Sequence, residues 1–326
     1  MRNAMFGILT AICFCLPASA AAPPIRVMLL DGEQAGSYHN WQETSPYLKR
    51  MLDDTSIFQT DVVTAPPRGG DFTNFKPDWS KYQVIVLNYD APDERWSDDL
   101  KASFEKYVRD GGGLVIVHAA DNAFSNWREF NLMIGVGGWR GRNEKSGPHF
   151  YYKEGKLVAD TSPGPAGRHG ARLPIKMVNI VTDHPITKGL PKEWMHVADE
   201  LYARMRGPGE NMTVLSTAYS DPANKGTGYD EPMLIVISYG KGRVFHTLLG
   251  HDVEAINCVG FIATYQRGTE WAATGKVTQK IPDDFPTADK TSTRKAFDPP
   301  GGGATPPATP AGGPGRSHGS FPEKRH

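Results

Sequence analysis

The sequence has little cysteine to build with. Only three are present, and two of them, Cys13 and Cys15, fall within the first 22 residues. Without that segment Cys258 stands alone and no intramolecular disulfide can form, so its thiol is expected to pack as a small hydrophobe. An excess of charge of one sign is also missing, since Lys+Arg and Asp+Glu both number 36. No basic stripe points to nucleic acid and no acidic block to a solvating tail. Beyond the N-terminus no apolar run reaches the roughly 20 residues of a membrane-spanning helix. Signatures with fixed spacing are absent too: no zinc motif, phosphate loop, dinucleotide fingerprint or G-x-S-x-G elbow. The glycine-rich "GVGGWRG" at 135–141 does not stand between a clean strand and a helix.

The two ends read differently from the middle. Arg2, the short apolar run "AMFGILTAICFCLP" and the small residues "ASA" at 18–20 predict an export signal over 1–22. Cleavage near Ala20 would leave a periplasmic or secreted protein without a membrane anchor. From 281 to 326 the text turns to proline, glycine and small residues, including "PPGGGATPPATPAGGPG". Such composition buries too little apolar area to offset ordering entropy, which predicts a disordered tail. The span 23–280 suits one large domain.

Within that span apolar runs alternate with helical spacing. "IRVMLLDG" (25–32), "IFQTDVV" (57–63), "YQVIVLNYD" (82–90) and "GLVIVHAA" (113–120) read as strands. "ETSPYLKRMLDD" (43–54) has helical spacing, and in "SDDLKASFEKYVRD" (97–110) Ser97 is a natural N-cap and Gly111 a stop. This order predicts a three-layer α/β/α sandwich with a mostly parallel sheet. Short antiparallel strands are expected in "HFYYKEGKLVA". "DELYARM" (199–205) reads as a strand opened by Asp199 and Glu200. "MLIVISYGKGRVFHTLLG" reads as two strands joined at Gly240-Lys241-Gly242, and a closing helix is expected around 257–273.

In parallel sheets ligands bind beyond the carboxyl ends of the strands. Asp31, Asn88, Asp90 and His118 stand at such ends, and His39 and His251 lie in loops that would reach the same edge. A histidine oriented by a carboxylate is a general acid or base at neutral pH. The same residue types hold divalent metals, and spacing alone does not separate the two uses. His118 and Glu200 are therefore the catalytic candidates, and His39, His118 and His251 the candidate ligands of a divalent metal. Trp41, Trp127 and His184 are the substrate-binding candidates, because an aromatic beside polar groups suits the apolar face of a sugar ring. Ordinary rim packing explains the two tryptophans equally well, and a turn cap explains His184 before Pro185. His246 reads as a core residue, and His169 and His196 as surface residues.

Five segments in order, "HNW", "GGGLVIVHAADNAF", "VTDHPITKGLPKEW", "DELYARM" and "GKGRVFHTLLGHD", resemble the ThuA family over about 25–275. The resemblance implies a flavodoxin-like fold of the class I glutamine amidotransferase type. In amidotransferases a cysteine nucleophile occupies the turn after a central strand. Here that turn reads "VHAAD", so glutamine hydrolysis is not expected. The resemblance also implies carbohydrate catabolism, with a sugar or 3-keto glycoside as substrate, and carries over His39, His118, His184, Glu200 and His251. The "GSYHNW" loop departs from the Arg-His arrangement more usual there. The expectation is an exported enzyme, an isomerase, lyase or hydrolase of keto-sugars; the alternatives are a non-catalytic carbohydrate-binding protein and a scaffold whose tail recruits partners.

Overall fold

The structure, a computed structural model, describes residues 22–34 and 39–294. Apart from residue 22, the expected export signal lies outside the described residues, as do 295–326. The chain runs β1 (Ile25–Asp31), α1 (Trp41–Asp53), β2 (Phe58–Thr64), β3 (Val84–Leu87), α2 (Asp98–Arg109), β4 (Gly113–Val117) and α3 (Arg128–Ile134). It continues through β5 (His149–Lys153), β6 (Lys156–Asp160), β7 (Leu173–Asn179), β8 (Glu193–Asp199), β9 (Met212–Tyr219), β10 (Asp230–Tyr239) and β11 (Gly242–Thr247). It closes with α4 (Val253–Ile256) and α5 (Val259–Thr274).

Strands β2-β1-β3-β4-β11 pair in parallel in that order, which is the flavodoxin-like arrangement. Their apolar runs follow from burial on both faces: every residue of β3 and β4 is buried. Neighbouring residues of β11 show the two faces. Phe245 lies against α5, where a Cβ on Gly268 would come within 2.1 Å of its ring. His246 points the other way, and its Nδ1 meets the Ile134 carbonyl of α3 at 2.9 Å. On that second face Phe104 of α2 joins Trp96, Phe124 and Trp127 in an aromatic cluster.

The expected predominance of parallel pairing is corrected. The sheet continues from β11 through β10, β9, β7 and β8, all antiparallel, with the β5–β6 hairpin set on β10. Four strand pairings are parallel and six antiparallel. The short turn at Gly240-Lys241 can only reverse the chain, because a parallel return needs a crossover of a dozen or more residues.

Three further expectations change. Asp199 ends β8 rather than opening a strand, and the segment beyond it makes only single bridges, Ala203 to Arg168 and Arg206 to Gly137 and His149. A left-handed Arg204, at φ 58°, interrupts any extended run there. His196 is wholly buried, not on the surface. The tail expected from 281 is packed as far as Arg294: Phe285 meets the Trp194 ring at 5.5 Å, and Val259 donates its N–H to the Ser292 carbonyl at 2.9 Å. An aromatic anchor and paired backbone hold this stretch to the domain.

Candidate active site

Four donors from four separate loops meet beyond the carboxyl ends of the parallel strands. Two of the loops share a local design. His39 precedes Asn40, which caps α1 by accepting the Gln42 N–H at 3.2 Å. His251 precedes Asp252, which caps α4 by accepting the Ala255 N–H at 3.0 Å. A capped helix start fixes the residue just before it. His251 is reached through Gly250, whose φ of 116° favours glycine and whose Cβ would stand 2.9 Å from the Phe261 ring. His118 follows β4 in a left-handed conformation, φ 45°; such strain in a non-glycine residue persists only where packing enforces it. Glu200 follows β8.

The ligand atoms of His39, His118, Glu200 and His251 lie within 4.8 Å of one another. The three imidazole centroids stand 4.9–5.5 Å apart. His118 Nδ1 donates to the Leu248 carbonyl at 2.7 Å, which sets its tautomer and leaves the Nε2 lone pair facing the cluster. That Nε2 is 3.8 Å from Glu200 Oε2, beyond hydrogen-bond range, and has no partner among the described residues. His251 Nδ1 approaches Glu200 Oε2 to 3.1 Å, yet the two are not aligned as a hydrogen bond. Donors that converge without bonding one another point at a common centre.

The groups at that centre perturb one another strongly. Burial would raise the Glu200 carboxyl, but the close approach of the His118 and His251 rings outweighs it and holds the group well below the usual carboxylate range. Burial alone would lower the His118 ring, and Glu200, Asp199 and the Leu248 carbonyl together raise it. Burial, then the charges of His118 and His251, push His39 down to about 3, so it is neutral at pH 7.

Two residues join that the sequence reading missed. Tyr202 stacks on the His118 ring at 4.0 Å, and its hydroxyl lies 3.1 Å from His39 Nε2. His169, read as a surface residue, sets Nδ1 3.5 Å from Glu200 Oε1 while its side chain stays 37% exposed. Trp139 lies against Tyr202 at 4.6 Å and near His169 at 6.0 Å. The substrate-binding candidates are not brought here. Trp41 opens α1 and lines a separate groove of about 490 Å³ with Asp31, Ser45 and Thr64. Trp127 turns to the α2 face, where its Nε1 donates to Glu105 at 2.6 Å and its ring stacks on Phe130. His184 caps a turn by accepting the Ile186 N–H at 3.3 Å and packs on Trp271.

The family model for trehalose utilisation, ThuA, matches residues 26–272, and the chain belongs to that family. A ThuA-like protein from Parabacteroides merdae is 47% identical, with a TM-score of 0.79 over 83% of this chain and 98% of that one. A second, from Bacteroides uniformis, shares the fold at 20% identity, with a TM-score of 0.53 over 81% of this chain and 97% of that one. No curated protein matches the chain.

Proposed function

We propose that the protein is an exported enzyme of carbohydrate catabolism, which uses a divalent cation and histidine acid–base chemistry on a sugar or 3-keto glycoside. The observation that carries this reading is the convergence of three imidazoles and one carboxylate, two of their ring nitrogens lacking hydrogen-bond partners among the described residues. A His₃Glu set, here with His118 buried and the other three half-buried, is the donor chemistry of zinc and its first-row neighbours. His39, His118, Glu200 and His251 would hold the cation, which when bound polarises a carbonyl oxygen and acidifies the adjacent C–H. His118 is assigned to holding rather than to proton transfer, because its ring is buried beneath Tyr202.

The proton falls to His169, the part-exposed imidazole at the rim, whose Nδ1 donates to the Gly170 carbonyl at 2.9 Å and lies 3.5 Å from Glu200. Trp139 and Tyr202 form the aromatic wall against which the apolar face of a sugar ring would rest. The family's link to trehalose utilisation supports the substrate class, and the apolar, small-residue N-terminus supports export. Product formation from a 3-keto glycoside, followed chromatographically, tests the reading. Wild type should turn it over, and His169→Ala should lose about 10²–10⁴-fold in rate, the scale of one acid–base group. Saturable sugar binding with no product would instead make this a non-catalytic carbohydrate-binding protein.

A further inference from the structure

Glu200 and His251 must stand in register, yet their strands do not touch. β8 and β11 are separated in the sheet by β10, β9 and β7, so no ladder of hydrogen bonds fixes the distance between their ends. One buried carboxylate spans the gap. Asp199 Oδ1 accepts the backbone N–H of Glu200 at 2.8 Å and that of His251 at 3.2 Å. Its Oδ2 accepts the N–H of Gly250 at 2.8 Å and the ring Nε2–H of His196 at 2.9 Å. Asp199 is 1% exposed and His196 0%, and the His196 ring is wedged edge-on against Trp194. We infer that Asp199, held in place by His196, is the positioning residue that locks Glu200 and His251 into one constellation.

The inference rests on the cation reading, and it reaches one shell further out. Four N–H donors around one carboxyl require a carboxylate: an amide offers a single oxygen and turns two N–H donors on the remaining partners. Asp199→Asn must therefore leave either the Glu200–His251 pair of amides or the Gly250–His196 pair facing a donor. Outer-shell partners of metal ligands are typically worth about 10–100-fold in metal affinity.

The test uses the full chain stripped of metal. Zn²⁺ titration calorimetry, the visible spectrum of the Co²⁺ form and amide hydrogen exchange are compared for wild type, Asp199→Asn, His196→Leu and His196→Gln. Asp199→Asn and His196→Leu should lose about 10–100-fold in Zn²⁺ affinity and shift the Co²⁺ bands. His196→Gln, which keeps a donor to Asp199, should recover part of both. Exchange should quicken about tenfold in Asp199→Asn at one side of the carboxyl, either at the amides of 200 and 251 or at that of 250, the effect of losing one hydrogen bond, while the rest of the sheet is unchanged. Unaltered affinity, spectrum and exchange would overturn the inference, as would faster exchange spread evenly over the domain. If wild type binds neither ion, the cation reading falls and the exchange data decide alone: local quickening upholds Asp199 as the positioning residue, and none refutes it.

Discussion

Histidines face carboxylates in two parts of this molecule, to opposite effect. Deep in the extension, His149 Nε2 sits 3.0 Å from both oxygens of Glu231, which also accepts the Thr227 hydroxyl at 2.6 Å and the Arg204 N–H at 3.2 Å. On β11, His246 engages both ring nitrogens, one with Ile134 and one with Asp121. Glu231 is saturated by these partners, as buried polar groups tend to be, and His246 spends both its nitrogens inside the fold, although Asp121 Oδ1 has no partner among the described residues. At the carboxyl edge one carboxylate meets four imidazoles, His39, His118, His169 and His251, at 3.1–4.0 Å. There the partners crowd without satisfying one another. The first arrangement is a bond within the fold; the second is a set of donor atoms gathered within 4.8 Å of one another.

Breaking a saturated pair should cost most. Glu231→Ala leaves a buried imidazole and a backbone N–H without acceptors, and is expected to lose about 3–5 kcal/mol in chemical denaturation, with cation stoichiometry unchanged. Glu200→Gln should invert that pattern. Stability of the metal-free protein should hold or rise, while the stabilisation added by Zn²⁺, about 2.7 kcal/mol at a hundred times Kd, should vanish from thermal melts.

A pH scan sharpens the contrast further. Burial alone would lower the His196 ring, but Asp199 and Cys258 push it up to about 9, from an ordinary 6.5. A raised histidine stabilises fully below pH 6.5 and loses its contribution as pH climbs through 9. The melting temperature should fall across that window, and His196→Gln should flatten the fall. The smallest effect is expected from His184→Ala, about 1 kcal/mol for one part-buried turn bond, with turnover and cation binding intact.

The parallel half was legible because its signals are local. Runs such as "VIVL" and "GLVIV" are buried on both faces and say so in composition. His39 and His251 stand out because they lie in loops after strands that reach one edge, and His118 because it ends an apolar run. Asp199 and Glu200 were both legible as carboxylates near the histidines, and the family resemblance singled out Glu200. What stayed hidden depends on the antiparallel extension, which carries residues 169 and 202 back to the parallel edge. That return is fixed by contacts distant in sequence, such as Trp194 against Gly260, where a Cβ would come within 2.2 Å of the ring. Trp127 and His184 misled for the complementary reason: nearness to a strand end in sequence does not say which face of the sheet a loop covers.

The most direct measurement is Zn²⁺ titration of metal-stripped protein by calorimetry, in wild type and in Glu200→Gln paired with His118→Ala. One equivalent per chain, saturable in wild type and lost in the double variant, is the predicted result. Absence of any stoichiometric binding in wild type, with Mn²⁺ and Co²⁺ failing likewise, would contradict a cation-holding centre.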